Sequence, residues 1–249
     1  MTRLPVLTYH ALADVQSPLA VPPSRFAQTM TRLAREGWRT LGEREVQAGL
    51  REGRWPDRSF VVHFDDGFGS VRTHAWPVLR DLGFTATIFV VSGWVGRTNG
   101  WPTQPADMPR WPLMTWDDLE ELVGGGATLA AHTVNHPRLS QLSSTEQADE
   151  IGRSVETVES RVGPGVRAFA FPYGDTSPAV RRVASPLVDL AYTTHLSLVP
   201  ARADALSLPR VDACYLATPA MAAAVAEPSM RGYLAVRRAG RLVKRALTG

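Results

Sequence analysis

The sequence predicts an α/β domain built on a parallel sheet or barrel, and two observations carry that prediction. Short β-rich runs alternate with helical stretches along most of the chain. The unusual polar residues, Tyr9-His10, Asp65-Asp66, His132 and Pro172-Tyr173, stand at the ends of those runs and not in their middles. In a parallel barrel the strand C-termini converge on one face, so residues distant in sequence meet there around a reacting group. Length agrees with this: 249 residues, 44% of them hydrophobic and without a long Ser/Gly-rich linker, suit one domain with a substantial core.

The strand-like runs are Val6 to Tyr9, Ser59 to Phe64, Ala86 to Val91, Thr128 to Ala131, Val166 to Phe171 and Leu190 to Thr194. Between them Pro23 to Glu36, Thr73 to Leu82, Thr115 to Val123 and Ser144 to Val162 read as helices. Thr115 followed by Asp118 resembles a capping box, and Gly124 to Gly126 stop the same helix; Ser144 with Gln147 resembles a second capped start. The segment from Arg97 to Pro112 carries four prolines and two tryptophans with little periodicity, and is expected as a long loop forming one wall of a site.

The chain starts directly on an apolar strand pattern without the long apolar stretch of a secretory signal, so a cytoplasmic location is expected. A single cysteine, Cys214, excludes an internal disulfide framework, and no apolar run approaches the roughly 20 residues that span a bilayer. The net charge of +3 is unevenly placed. Residues 229–249 hold six basic side chains and no acid, leaving 21 basic against 24 acidic residues in the body. The expected division is therefore a domain over 1–228 and a basic helical tail over 229–249. The body has no nucleic-acid footprint. For the tail, a helix packed on the barrel and a helix resting peripherally on anionic lipid at the inner face of the membrane are both open, with Val236, Val243 and Leu247 on one side.

Three motifs carry chemistry. In His63-Phe-Asp-Asp-Gly67 two carboxylates stand side by side where a strand ends. Adjacent carboxylates repel, and a divalent cation resolves this if one becomes a ligand and the other a nearby base; a simple turn capping the next helix is the alternative. In His132-Thr-Val-Asn-His136 two imidazoles four residues apart can close on one ion, and two His with one carboxylate leave positions open for water and substrate, as catalytic sites require. In Phe171-Pro-Tyr-Gly174 a rigid turn at a strand end can present the Tyr173 N–H to an oxyanion; a plain structural turn is the alternative.

These motifs, in this order, resemble those of the polysaccharide deacetylase (NodB-homology) family, carbohydrate esterase family 4: Thr-Phe-Asp-Asp-Gly matches His63 to Gly67, His-(Ser/Thr)-x-x-His matches His132 to His136, and the Pro-Tyr-Gly ending matches Pro172 to Gly174. The resemblance runs from about Val6 to about Val211. It implies a distorted, incomplete (β/α) barrel with fewer than eight full units, with Asp65 as general base, Asp66, His132 and His136 as metal ligands, and Tyr173 as a main-chain oxyanion donor. It also implies one divalent ion, Zn2+ first, with Co2+, Ni2+ or Fe2+ as alternatives. Three departures are evident. Where the family often has an arginine that pairs with the catalytic Asp, this chain has Ala170, with Arg210 and Arg167 as competing candidates for its place; the family's Asp-containing fourth motif and its late Leu-x-Leu-His motif have no obvious equivalent.

A leaving amine needs a proton, and His10, His63 and His195 are the histidines placed to give it. His10 is preferred, because the branch of the family with a Tyr-His start has a histidine there; His74 reads as an ordinary helix residue. The expected activity is removal of N-acetyl groups from an amino-sugar glycan or a lipid-linked glycan precursor. The alternatives are hydrolysis of another non-peptide C–N bond or of an O-acetyl ester on the same fold, and, from another class, an inactive glycan-binding module.

Overall fold

The computed structural model describes the backbone of residues 3–248 and the side chains of residues 3–241. Its centre is a closed barrel of seven parallel strands: β1 (Val6–Tyr9), β2 (Ser59–Phe64), β3 (Thr87–Val90), β4 (Thr128–Ala131), β5 (Ala168–Ala170), β6 (Leu190–Leu196) and β7 (Leu208–Asp212). From β2 to β7 each strand pairs with the next, and β1 closes the ring by pairing with both β2, Val6 opposite Val61, and β7, Leu7 opposite Val211. The barrel is thus incomplete in strand number and not in closure. Around it lie α1 (Pro23–Arg35), α2 (Glu43–Glu52), α3 (Trp76–Asp81), α4 (Trp116–Gly124), α5 (Ser144–Val162), α6 (Pro178–Ala184), α7 (Pro219–Ala223) and α8 (Pro228–Thr248).

Strands covered on both faces read as continuous apolar runs, which is why they were visible in the sequence. Along β2, Phe60, Val62 and Phe64 pack outward with Leu7, Ile88 and helix residues such as Phe26 and Leu79. Val61 alternates inward to a separate cluster with Val6, Phe89, Ala130, Ala170 and Tyr192, the filling of the barrel. All six predicted strands match to within a residue or two, with Val166–Phe171 trimmed to Ala168–Ala170 and Leu190–Thr194 extended to Leu196. The expected helix Thr73–Leu82 is instead a π turn over Val71–Ala75 leading into α3, whose second residue is Pro77, so the i→i−4 ladder changes where the proline has no N–H to give. Thr115 caps α4 as the sequence predicts. For α5 the cap is Ser143 and not Ser144: its N–H donates to the Glu146 carboxylate at 2.8 Å, completing a capping box one residue earlier.

The barrel interior holds one polar knot. Glu43, the first residue of α2, is 2% exposed and accepts hydrogen bonds from His63 Nε2 at 2.9 Å, Thr87 Oγ1 at 2.8 Å and Tyr192 Oη at 2.6 Å. Burial raises the Glu43 carboxyl, but these three donors outweigh it and hold the group ionised; burial pushes the His63 imidazole down, so it donates as a neutral ring. The first half of α8 packs on the barrel. Met230 and Leu234 are buried in the outer core and Tyr233 Oη donates to the Tyr215 carbonyl at 2.7 Å, whereas Val236 is 72% exposed. The side chains of Val243 and Leu247, on which the expected apolar side also depends, lie outside the described residues.

Glu43→Ala leaves three buried groups without their common partner and should lower stability by about 3–5 kcal/mol. Glu45→Ala removes the exposed pair with Arg39 and the Gly42 N–H contact at the start of α2, and should cost no more than about 1–2 kcal/mol. Urea unfolding of the two variants measures the difference.

Candidate active site

Immediately after β2 the backbone turns sharply. Asp65 N–H still donates to the Tyr9 carbonyl at 3.0 Å, and then Asp66 and Gly67 take φ of 71° and 78°. A left-handed Asp is tolerated but costly, and it sends two consecutive carboxylates into one cleft instead of to opposite faces of a strand. Of the five non-glycine residues with positive φ among those described, Asp66, Thr133, His136 and Tyr173 all lie in the three motifs. Strain concentrated in this way marks a site whose geometry the surroundings enforce.

Asp65 is 3% exposed and meets Arg210 of β7 in a two-pronged ion pair, Nη1 to Oδ1 and Nη2 to Oδ2 both at 2.7 Å. Burial alone would raise the Asp65 carboxyl, but Arg210 overcomes it and holds the group well below the usual carboxylate range. Arg210 therefore stands where the missing arginine is needed, and its Nε is fixed on the Thr193 carbonyl at 3.2 Å. Arg167 spends its guanidinium on Asp189 at 3.0 Å.

Asp66 faces the two histidines. Its Oδ1 lies 3.5 Å from His132 Nε2 and 3.4 Å from His136 Nε2, and candidate ligand atoms of the three residues all fall within 4.8 Å of one another. The Asp66 Oδ1 atom is buried without a hydrogen-bond partner, and burial pushes the carboxyl up to about 7. The same burial pushes His132 down to about 4 and His136 well below its ordinary value, so both imidazoles are neutral. His132 Nδ1–H donates to the Ala170 carbonyl at 2.7 Å, which turns Nε2 toward Asp66. One orphaned carboxylate oxygen and two neutral imidazoles aimed at a common point fit a divalent first-row cation.

The loop from His132 to His136 is held from outside. Glu150 of α5 accepts the N–H groups of Val134 and Asn135, each at 2.9 Å, and Asn135 Nδ2 at 2.7 Å. Gly93 lies so close beneath that a Cβ there would come within 2.7 Å of the Val134 carbonyl. The expected wall from the Arg97 to Pro112 segment is present. The Trp101 ring stacks on His136 at 4.4 Å between centroids, and the Tyr173 ring meets the same imidazole edge-on at 4.6 Å. Thr103 ties the wall together, donating from Oγ1 to the His136 carbonyl at 2.7 Å and accepting from Tyr173 Oη at 3.0 Å.

Asp65, Asp66, Trp101, His132, His136 and Tyr173 line a cleft of about 870 Å³ together with His10, whose Nε2 is 3.9 Å from Asp65 Oδ2. Of the other histidines considered as acids, His63 lies deeper in the barrel on Glu43, and His195 turns into a neighbouring depression toward Arg238 at 3.2 Å. His74 is exposed on the π turn. The sequence reading missed Trp101, Thr103 and Glu150. The proline-rich composition marked the wall but not which residue stacks, and nothing distinguishes Glu150 from the other acids of α5.

A family model described as polysaccharide deacetylase matches residues 52–188 of this chain. The protein YxkH of Bacillus subtilis (strain 168) is 26% identical over 173 residues, covering 69% of this chain and 57% of the relative. A poly-β-1,6-N-acetyl-D-glucosamine N-deacetylase of Staphylococcus aureus is 22% identical over 176 residues, covering 66% of this chain and 58% of the relative. The chain thus spans a little over half the length of these two curated relatives. Among solved structures, the Streptococcus pyogenes deacetylase PplD, in complex with acetate, superposes with a TM-score of 0.79 at 27% identity, over 91% of this chain and 99% of that one. With its motifs on one face of a seven-stranded barrel and more than half its length matched, the chain belongs to the polysaccharide deacetylase family.

Proposed function

We propose that the protein hydrolyses N-acetyl groups from an amino-sugar glycan, with a divalent cation, Zn2+ first, held by Asp66, His132 and His136. The observation that carries this reading is the pairing of a three-ligand set with an ion-paired, ionised Asp65 in one cleft. The family, and the similarity to the poly-β-1,6-N-acetyl-D-glucosamine N-deacetylase of Staphylococcus aureus, support the choice of bond and sugar.

When bound, the cation supplies a Lewis acid for the acyl carbonyl and for water. Asp65 receives the proton of the attacking water. Arg210 keeps this base ionised and fixed in direction, at some cost in basicity. The left-handed turn at Tyr173 sets the direction of its N–H, in the role of donor to the oxyanion that forms on the acyl carbon. His10, partly open to the cleft and 3.9 Å from Asp65, gives its proton to the departing amine. The Trp101 ring covers His136 and keeps water from competing for that side of the site. An inactive glycan-binding module would have no use for both a complete ligand set and a separately ionised base.

His132→Ala should lower bound metal from one ion per chain to background, as read by elemental analysis after dialysis; a variant that keeps its metal refutes the ligand set. Asp65→Asn should retain the metal and lose about 10²–10⁴-fold in kcat, measured by acetate release with a thermal melt confirming that the variant is folded. His10→Ala should lower kcat more than His195→Ala, with metal content unchanged in both. The opposite ranking in a side-by-side acetate assay would move the acid to His195.

A further inference from the structure

Beside the catalytic cleft lies a second depression of about 720 Å³, and its charge is one-sided. Arg3, Arg202, Arg238 and Arg241 line it, against Asp204 as the one carboxylate among its described lining residues. The arginines come from two regions of the fold. Arg3 sits in a two-residue strand paired antiparallel with Val199 and Pro200, and Arg202 follows that pairing. Arg238 and Arg241 come from α8, two of the six basic residues of the tail. Among the described residues none of the four has a carboxylate within ion-pair distance. Arg238 Nη1 donates to His195 Nε2 at 3.2 Å and Arg241 Nη1 to the Thr194 carbonyl at 3.3 Å, so these two are oriented by neutral acceptors. His195 remains neutral, held below its ordinary value by burial and by the two arginines.

Four arginines lining one depression without matching carboxylates give it a positive potential, and an incoming oxyanion is met there by charge-assisted, often two-pronged hydrogen bonds. The depression is not separate from the reaction site. Gly174, Thr176, Thr194 and Arg241 line both it and the catalytic cleft. The two depressions are continuous at these residues, which gives a neighbouring sugar unit of a glycan held in the cleft a path toward the arginines.

We propose that this depression is a subsite for an oxyanion substituent, a phosphoryl or carboxylate group, on the sugar adjoining the one that is deacetylated, so that the substrate is an anionic glycan. This rests on the deacetylase reading only for the position of the acetamide; the anion site itself stands on the arginines. It also gives part of the basic tail a task at the mouth of the active site, toward substrate and not toward a lipid surface.

The test compares three soluble ligands on the intact, metal-loaded chain by calorimetry: a neutral β-linked N-acetylglucosamine trisaccharide, the same sugar carrying one phosphate, and the same sugar carrying one carboxylate. At least one anionic sugar should bind about tenfold or more tightly than the neutral one, as expected of charge-assisted bonds, with the gain shrinking as salt rises. Which anion gains identifies the source. The double variant Arg202→Ser with Arg238→Ser should bring the anionic-to-neutral affinity ratio close to one, and the corresponding Lys pair should restore part of it. Equal binding of all three sugars, a preference that survives the double Ser variant, or binding of anionic phospholipid vesicles without any preference among the soluble sugars would each overturn the proposal. A clear anionic preference with no acetate released from any sugar would support the subsite and count instead against the deacetylase reading.

Discussion

Two neighbouring buried carboxylates cannot both be ionised without compensation, and the site is organised around solving that problem for Asp65 and Asp66. Each is less than 5% exposed, and the left-handed turn at Asp66 sends both into the same cleft. The solution divides them. Arg210 neutralises Asp65 from the far side of the barrel closure, since β7 reaches β2 only through β1. Asp66 has no arginine; burial raises it to about 7 and leaves one oxygen without a partner between two neutral imidazoles. A divalent cation between Asp66, His132 and His136 would supply that compensation for Asp66.

The rest of the structure holds this asymmetry in place. A seven-stranded ring brings β2, β4, β5 and β7 to one rim, so that Asp65, His132, Ala170 and Arg210 meet although they are spread over 146 positions of sequence. The strained backbones at Thr133, His136 and Tyr173 persist because Glu150, Thr103 and the packing beneath Gly93 over-determine the loops that carry them. Deeper in the barrel, Glu43 ties α2 to β2, β3 and β6, below the residues that do the chemistry.

What was legible in the sequence follows physical lines. Barrel strands are apolar on both faces, so their runs stand out, and the motifs at their ends give Asp65, Asp66, His132, His136 and Tyr173 directly. The last strand, Leu208–Asp212, is not among the runs the sequence predicts, because Pro209 and Arg210 interrupt the apolar pattern. Its arginine is buried only because Asp65 waits for it, a dependence no local pattern encodes. For the same reason Arg210 and Arg167 could not be ranked until their partners were known. Helices α2, α6 and α7 were not anticipated; α6 and α7 are short, and the buried Glu43 at the head of α2 looks like any surface acid in the sequence. The tail reads as a basic amphipathic helix. Met230 and Leu234 pack on the barrel while Arg238 and Arg241 turn toward the second depression, directions that depend on the surface beneath them.

The central claim is that Asp66 holds a cation while Asp65 stays with Arg210, and anomalous diffraction from crystals of the protein loaded with Zn2+ tests it most directly. The account predicts one strong peak, bonded to Asp66, His132 and His136, with the Asp65–Arg210 pair intact. An ion bonded to Asp65 in place of Asp66, or a peak away from both histidines, would contradict it.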